Sequence, residues 1–126
     1  MAMYPDLAGK VALITGAGRA KGLGEAMARR LAAEGCRVVI TDIGRARGPE
    51  MPVTAVGTDE EMSKVAGSIR ADGGECSAMA LDVLEEDQVR AVVAANPRTV
   101  VVLMGGGAIL MEAWRRAVPA ILLLWY

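Results

Sequence analysis

The run Val11-Ala12-Leu13-Ile14-Thr15-Gly16-Ala17-Gly18-Arg19-Ala20-Lys21-Gly22-Leu23-Gly24 decides how this chain folds. Val11–Thr15 is a short apolar stretch that breaks into glycine, the pattern of a fully buried parallel strand. Leu23, Met27 and Leu31 then recur every four residues, with Arg29, Arg30 and Glu34 on other faces and Gly35 placed to end a helix. Strand, glycine-rich loop and helix therefore follow one another without interruption. In such a loop the glycines permit a tight turn and a close approach of backbone to an anion. The free N–H groups and the positive end of the helix dipole attract phosphate.

The same alternation continues downstream. Val38–Thr41 reads as a second strand closed by Asp42, followed by a long glycine- and proline-bearing loop from about Gly44 to Gly57. Thr58 with Glu61 three residues later forms a capping box, and Met62, Val65, Ala66 and Ile69 mark the buried stripe of the helix behind it, which Gly73 and Gly74 end. Ser77–Leu81 is a third strand leading to Asp82. A helix from about Glu85 carries Val89, Val92 and Val93 and stops at Asn96-Pro97. Thr99–Met104 is a fourth strand, Gly105-Gly106-Gly107 a turn, Ile109–Arg116 a short helix and Ala120–Tyr126 a fifth, buried strand. Alternating strands and helices imply an α/β chain: a three-layer Rossmann-like fold over residues 1–126 as a single domain. Its five-stranded parallel sheet is expected in the order 3-2-1-4-5, with helices on both faces and right-handed crossovers. In that order the crevice opens between the first and fourth strands. Asp42 then stands where a carboxylate accepts both hydroxyls of an adenosine ribose and repels a 2′-phosphate, which favours NAD over NADP. Arg19 and Lys21 either pair with a phosphate or are solvated loop charges.

Composition narrows the chemistry. The 126 residues are 53% apolar, enough for one core, and 14 basic against 15 acidic residues leave a net charge of −1. No global field favours nucleic acid or an anionic membrane, so neither is expected as a partner. The absence of histidine removes imidazole bases and the commonest metal ligand, and no metal site is expected. Cys36 and Cys76 read as buried free thiols of a reducing compartment. The opening MAMYPDLAGK lacks the layout of a secretory signal, and Ala117–Tyr126 is half the length of a membrane span, so the expected location is cytoplasmic.

The stretch from about Leu7 to Ala94 resembles the short-chain dehydrogenase/reductase family. Leu-Ala-Gly-Lys-Val-Ala-Leu-Ile-Thr-Gly at 7–16 is similar to its opening strand, and Gly16, Gly22 and Gly24 to its three cofactor-loop glycines. Five residues separate Gly16 from Gly22 where the family commonly has three. The resemblance implies a cofactor site of Gly16, Gly18, Arg19, Gly22, Leu23, Gly24, the ribose acid Asp42, and Asp82-Val83 beside the adenine. The catalysis it implies, a serine with a Tyr-x-x-x-Lys pair in which lysine lowers the tyrosine pKa, finds no match. Tyr4 and Tyr126 are the only tyrosines, and neither has a lysine four positions later.

Residues 96–126, with Asn96-Pro97-Arg98-Thr99-Val100-Val101-Val102-Leu103, Leu110-Met111, Trp114 and Val118-Pro119-Ala120-Ile121-Leu122, resemble a strand–helix–strand piece of the second domain of family-3 glycoside hydrolases. Glu112 stands alone there, and glycoside hydrolysis needs two carboxylates. Two families joined in one chain point to an engineered chimera. The expectation is a non-enzymatic scaffold without catalytic residues, requiring no cofactor but binding NAD or adenosine nucleotides weakly. The alternative is a truncated NAD-dependent oxidoreductase. The apolar fifth strand, at an edge, either invites homodimerisation or is covered.

Overall fold

The computed structural model describes residues 2–104, 111, 112 and 114–124, and it divides into two compact units with the boundary between Leu81 and Asp82. The first unit holds β1 (Val11–Ile14), α1 (Leu23–Ala33), β2 (Arg37–Asp42), α2 (Asp59–Ala71) and β3 (Glu75–Ala80). Its three strands pair in parallel in the order β1-β2-β3. Register aligns Ala12, Val38 and Cys76 in one row and Ile14, Ile40 and Ala78 in another. Because side chains alternate along a strand, both rows lie on one face. That face packs against Ala28 of α1 and Val65, Ala66 and Ile69 of α2, with Ala17 and Cys36 completing the core. Val11, Leu13, Ser77 and Met79, on the opposite alternation, are exposed.

This differs from the expected three layers, since α1 and α2 share one core on one face of the sheet. Right-handed crossovers that step across a sheet in a single direction, here β1 to β2 to β3, carry both helices to the same side. The two helices are fastened by Arg29 of α1, whose guanidinium reaches Glu25 at 2.7 Å, Asp72 at 2.7 Å and the Ser68 hydroxyl at 2.8 Å. Cys36 and Cys76 are buried and free. Burial raises the Cys76 thiol pKa, opposed by the charges of Arg70 and Arg29.

The second unit holds α3 (Glu86–Ala95), β4 (Val100–Met104) and β5 (Ala120–Leu124). β4 and β5 pair in parallel, from Val100 with Ala120 to Met104 with Leu124. The strands of the described residues thus form two sheets, of three and two strands, in place of the single five-stranded sheet of order 3-2-1-4-5. Hydrophobic patterning identifies a strand, but the pairing of β1 with β4 is a long-range choice that no local pattern encodes. β5 is exposed along its length, not buried as its apolar run suggests, because a two-stranded sheet has too little structure of its own to cover both faces. Of the helix expected over Ile109–Arg116, residues 112 and 114–116 form turns. Residues 105–110, 113, 125 and 126, with the triple-glycine turn and the end of the fifth strand, lie outside the described residues. Among the described residues no helix is long and apolar enough to cross a membrane.

Candidate functional site

The glycine loop leaves β1 at Ile14 and enters α1 at Leu23. Gly16 turns the chain with φ +63°, a left-handed conformation suited to glycine, and nothing lies within 4 Å of where its Cβ would be. Ala17 then passes beneath α1, its N–H donating to the Thr41 carbonyl at 2.9 Å. Gly24 sits directly on it, where an added Cβ would come 2.5 Å from Ala17 Cα. Gly22, the residue preceding α1, contributes no side-chain cap, and its open side meets only the Arg19 carbonyl, at 3.4 Å. A tight turn, an open backbone and a close helix–strand contact are the three tasks a dinucleotide loop assigns to its glycines. Gly16, Gly22 and Gly24 have the geometry for these tasks in that order. The first amides of α1 have no acceptor within the helix, and Leu23, its first residue, is exposed.

Between these glycines the loop is held by acids. Gly18 N–H donates to Asp42 Oδ2 at 3.1 Å, Ala20 N–H to Glu61 Oε1 at 2.8 Å and Lys21 N–H to Glu25 Oε2 at 2.5 Å. Asp42 accepts a second bond, from Ile43 N–H at 2.9 Å. The Lys21 N–H, followed by the Arg29 guanidinium, holds the Glu25 carboxyl below the usual carboxylate range. Three amides of one loop that each collect a carboxylate form an anion-receiving surface. Gly18 is also packed by protein, since an added Cβ would meet Met62 Cγ at 2.6 Å and Asp42 Cβ at 2.7 Å. Gly57 lies against Gly18 and Asp42, so the segment after β2 returns over the loop. Arg19 follows it, Nη1 donating to the Thr54 carbonyl at 3.3 Å.

Sequence reading placed Gly16, Gly18, Arg19, Gly22, Leu23, Gly24 and Asp42 together, and they lie along one loop and the strand end beside it. It missed Glu61 and Gly57. The signal for Glu61 was its place in the capping box, where its side chain is expected to reach back to the cap; Thr58 does cap Glu61 N–H, at 3.2 Å, but the Glu61 carboxylate goes to the loop. Asp82 and Val83 belong to the second unit. There Asp82 Oδ1 accepts from Leu84 N–H at 2.9 Å and its own N–H donates to Gln88 Oε1 at 2.8 Å, while Val83 is exposed. That unit also has an open groove of about 330 Å³ beside α3, lined by Arg90, Val93, Ala94, Pro97, Trp114 and Ala117. Arg90 there is paired with Glu86, and Glu112 with Arg115 at 3.3 Å. Among the described residues no cluster of three metal-binding side chains occurs.

Residues 21–126 match the glycosyl hydrolase family 3 C-terminal domain. That match begins inside the glycine loop, well upstream of the expected start at Asn96, so it overlaps the region of dehydrogenase similarity. The chain is 43% identical over 94 residues to 2,5-dichloro-2,5-cyclohexadiene-1,4-diol dehydrogenase of Sphingobium indicum, covering 74% of this chain and 31% of that relative's length. Among solved structures, a metagenomic short-chain oxidoreductase in complex with NADP superposes with TM-score 0.53 at 34% identity, covering 82% of this chain and 41% of the other. Carveol dehydrogenase from Mycobacterium avium in complex with NAD does so with TM-score 0.57 at 26% identity, covering 86% and 42%. These relatives are named dehydrogenases and oxidoreductases, which overturns the expectation of a non-enzyme and points to an enzyme family.

Proposed function

For a chain that belongs to the glycosyl hydrolase family 3 C-terminal domain family over residues 21–126, and whose N-terminal part is related to short-chain dehydrogenases, we propose that these residues form the dinucleotide-binding part of an NAD-dependent oxidoreductase. The observation that carries this reading is the division of labour among Gly16, Gly22 and Gly24, with Asp42 at the end of the neighbouring strand. The residues fit the cofactor: an uncapped helix start and an open Gly22 backbone suit a diphosphate, and a carboxylate beside the loop suits ribose hydroxyls. When bound, a nicotinamide cofactor exchanges hydride with an alcohol or carbonyl carbon. Leu23 and Gly24 would direct their amides at the diphosphate, Asp42 would accept from the ribose, and Gly16 would let the chain turn away below it. Hydrolysis of a glycoside is the weaker reading, since Glu112, the one acid in 96–126, is paired with Arg115 and exposed.

Titration of the full chain with NAD, NADP and AMP, following backbone amide shifts, tests the reading. Shifts should concentrate at Gly16–Gly24, with dissociation constants on the order of micromolar to millimolar. Asp42→Ala should weaken NAD relative to NADP. An absence of shifts at saturating nucleotide would sink it.

A further inference from the structure

We propose that Glu61, which lies outside the glycine motif, acts with Asp42 as a second specificity-determining acid that rejects a phosphate on the ribose 2′ position. This rests on the reading of the loop as a nucleotide cradle and adds a residue to it. Gly18 and Ala20 are two residues apart, so their amide nitrogens are separated by at most about 7 Å. Asp42 Oδ2 holds the first at 3.1 Å and Glu61 Oε1 the second at 2.8 Å. Arg19 lies between them in the chain, and its Nη1 is directed to the Thr54 carbonyl at 3.3 Å. A dianionic phosphate brought against Asp42 therefore meets loop amides already donating to carboxylates. It also meets the field of a second carboxylate, which that spacing and the two hydrogen bonds hold within about 13 Å of the first and which salt screens in part.

The position of Glu61 is built into the fold. Thr58 Oγ1 accepts the Glu61 N–H at 3.2 Å and starts α2 there. The next residue, Met62, is 1% exposed and packs on Gly18, which anchors the first turn of α2 against the loop. The carboxylate is thus carried by a docked helix turn. A residue that only fastened the loop would act through its hydrogen bond, whereas a specificity residue acts through its charge.

Two substitutions separate these roles. Glu61→Gln keeps an oxygen to accept the Ala20 N–H and removes the charge; Glu61→Ala removes both. Calorimetric titration of the full chain and both variants uses AMP and adenosine 2′,5′-bisphosphate, which differ only in the 2′-phosphate. Glu61→Gln should raise the affinity for the bisphosphate by about fivefold relative to that for AMP, and the gain should shrink as salt is raised from low to physiological levels. Glu61→Ala should show the same gain. If AMP binds but Glu61→Gln leaves the ratio of the two affinities unmoved, Glu61 has no part in specificity and the cradle stands without it. If AMP fails to bind the unmodified chain at millimolar concentration, the cradle itself falls, and this inference with it.

Discussion

Lys21 is the one non-glycine residue among those described with positive φ, at +60°, a conformation that costs a side-chain-bearing residue on the order of 1 kcal/mol. Its N–H is held by Glu25 Oε2, whose pKa is lowered chiefly by that bond and then by Arg29. A carboxyl whose folded pKa lies below its unfolded value stabilises the fold fully above the unfolded value, about 4.3 for glutamate, and loses that contribution as pH falls through the folded one. Glu25→Gln should therefore lower the urea midpoint at pH 7, and the difference from the unmodified chain should narrow as pH is taken below 4 and the Glu25 carboxyl becomes neutral. A difference that is constant with pH would show that the charge of Glu25 is not what holds the loop. The left-handed turn at Lys21 was not legible in the sequence, because nothing about a lysine announces positive φ; the acid four residues ahead on the helix makes it tenable.

At the scale of the element, α2 begins where Thr58 and Glu61 said it would. A threonine oxygen that accepts the amide three residues on satisfies one of the helix's unpaired donors, and its loss costs about 1 kcal/mol. Thr58→Ala should lower stability by about that amount in denaturant titration, while Thr58→Ser should restore most of it. Amide hydrogen exchange at Ala20 should also rise in Thr58→Ala, since the turn that presents Glu61 to Ala20 is the turn that Thr58 caps. Unchanged exchange there would mean that Glu61 is positioned by Met62 alone. The cap was legible because its bonds close within four residues. The second half of the box was not, because Glu61 reaches 41 positions back in the chain for its partner.

For the whole molecule, the strands were legible one by one and their grouping was not. β1, β2 and β3 pair in the expected neighbourhoods, as do β4 and β5, yet they form two sheets. β5 carries Ile121, Leu122, Leu123 and Leu124, all exposed, beside exposed Val100 and Val102 of β4. An apolar strand with unpaired backbone groups at a sheet edge is a template for association. Light scattering across a concentration series should accordingly report a growing mass, which Leu123→Lys should suppress through the cost of bringing two such charges together at an apolar contact. A constant monomer mass in the unmodified chain would dismiss β5 as an association surface.

The amino-acid sequence by itself determined that strands and helices alternate from β1 to β4, which faces of α1 and α2 are apolar, and which glycines and acid surround the loop, because each of these follows from side-chain periodicity or from bonds a few residues long. Tertiary structure alone decided that α1 and α2 share one face, that the segment ending at Gly57 returns over Gly18, and that the Glu61 carboxylate accepts from an amide of a loop far behind it in the chain. Those outcomes depend on contacts between residues distant in sequence, where packing volume and the need to satisfy buried amides choose among partners that local pattern leaves equivalent.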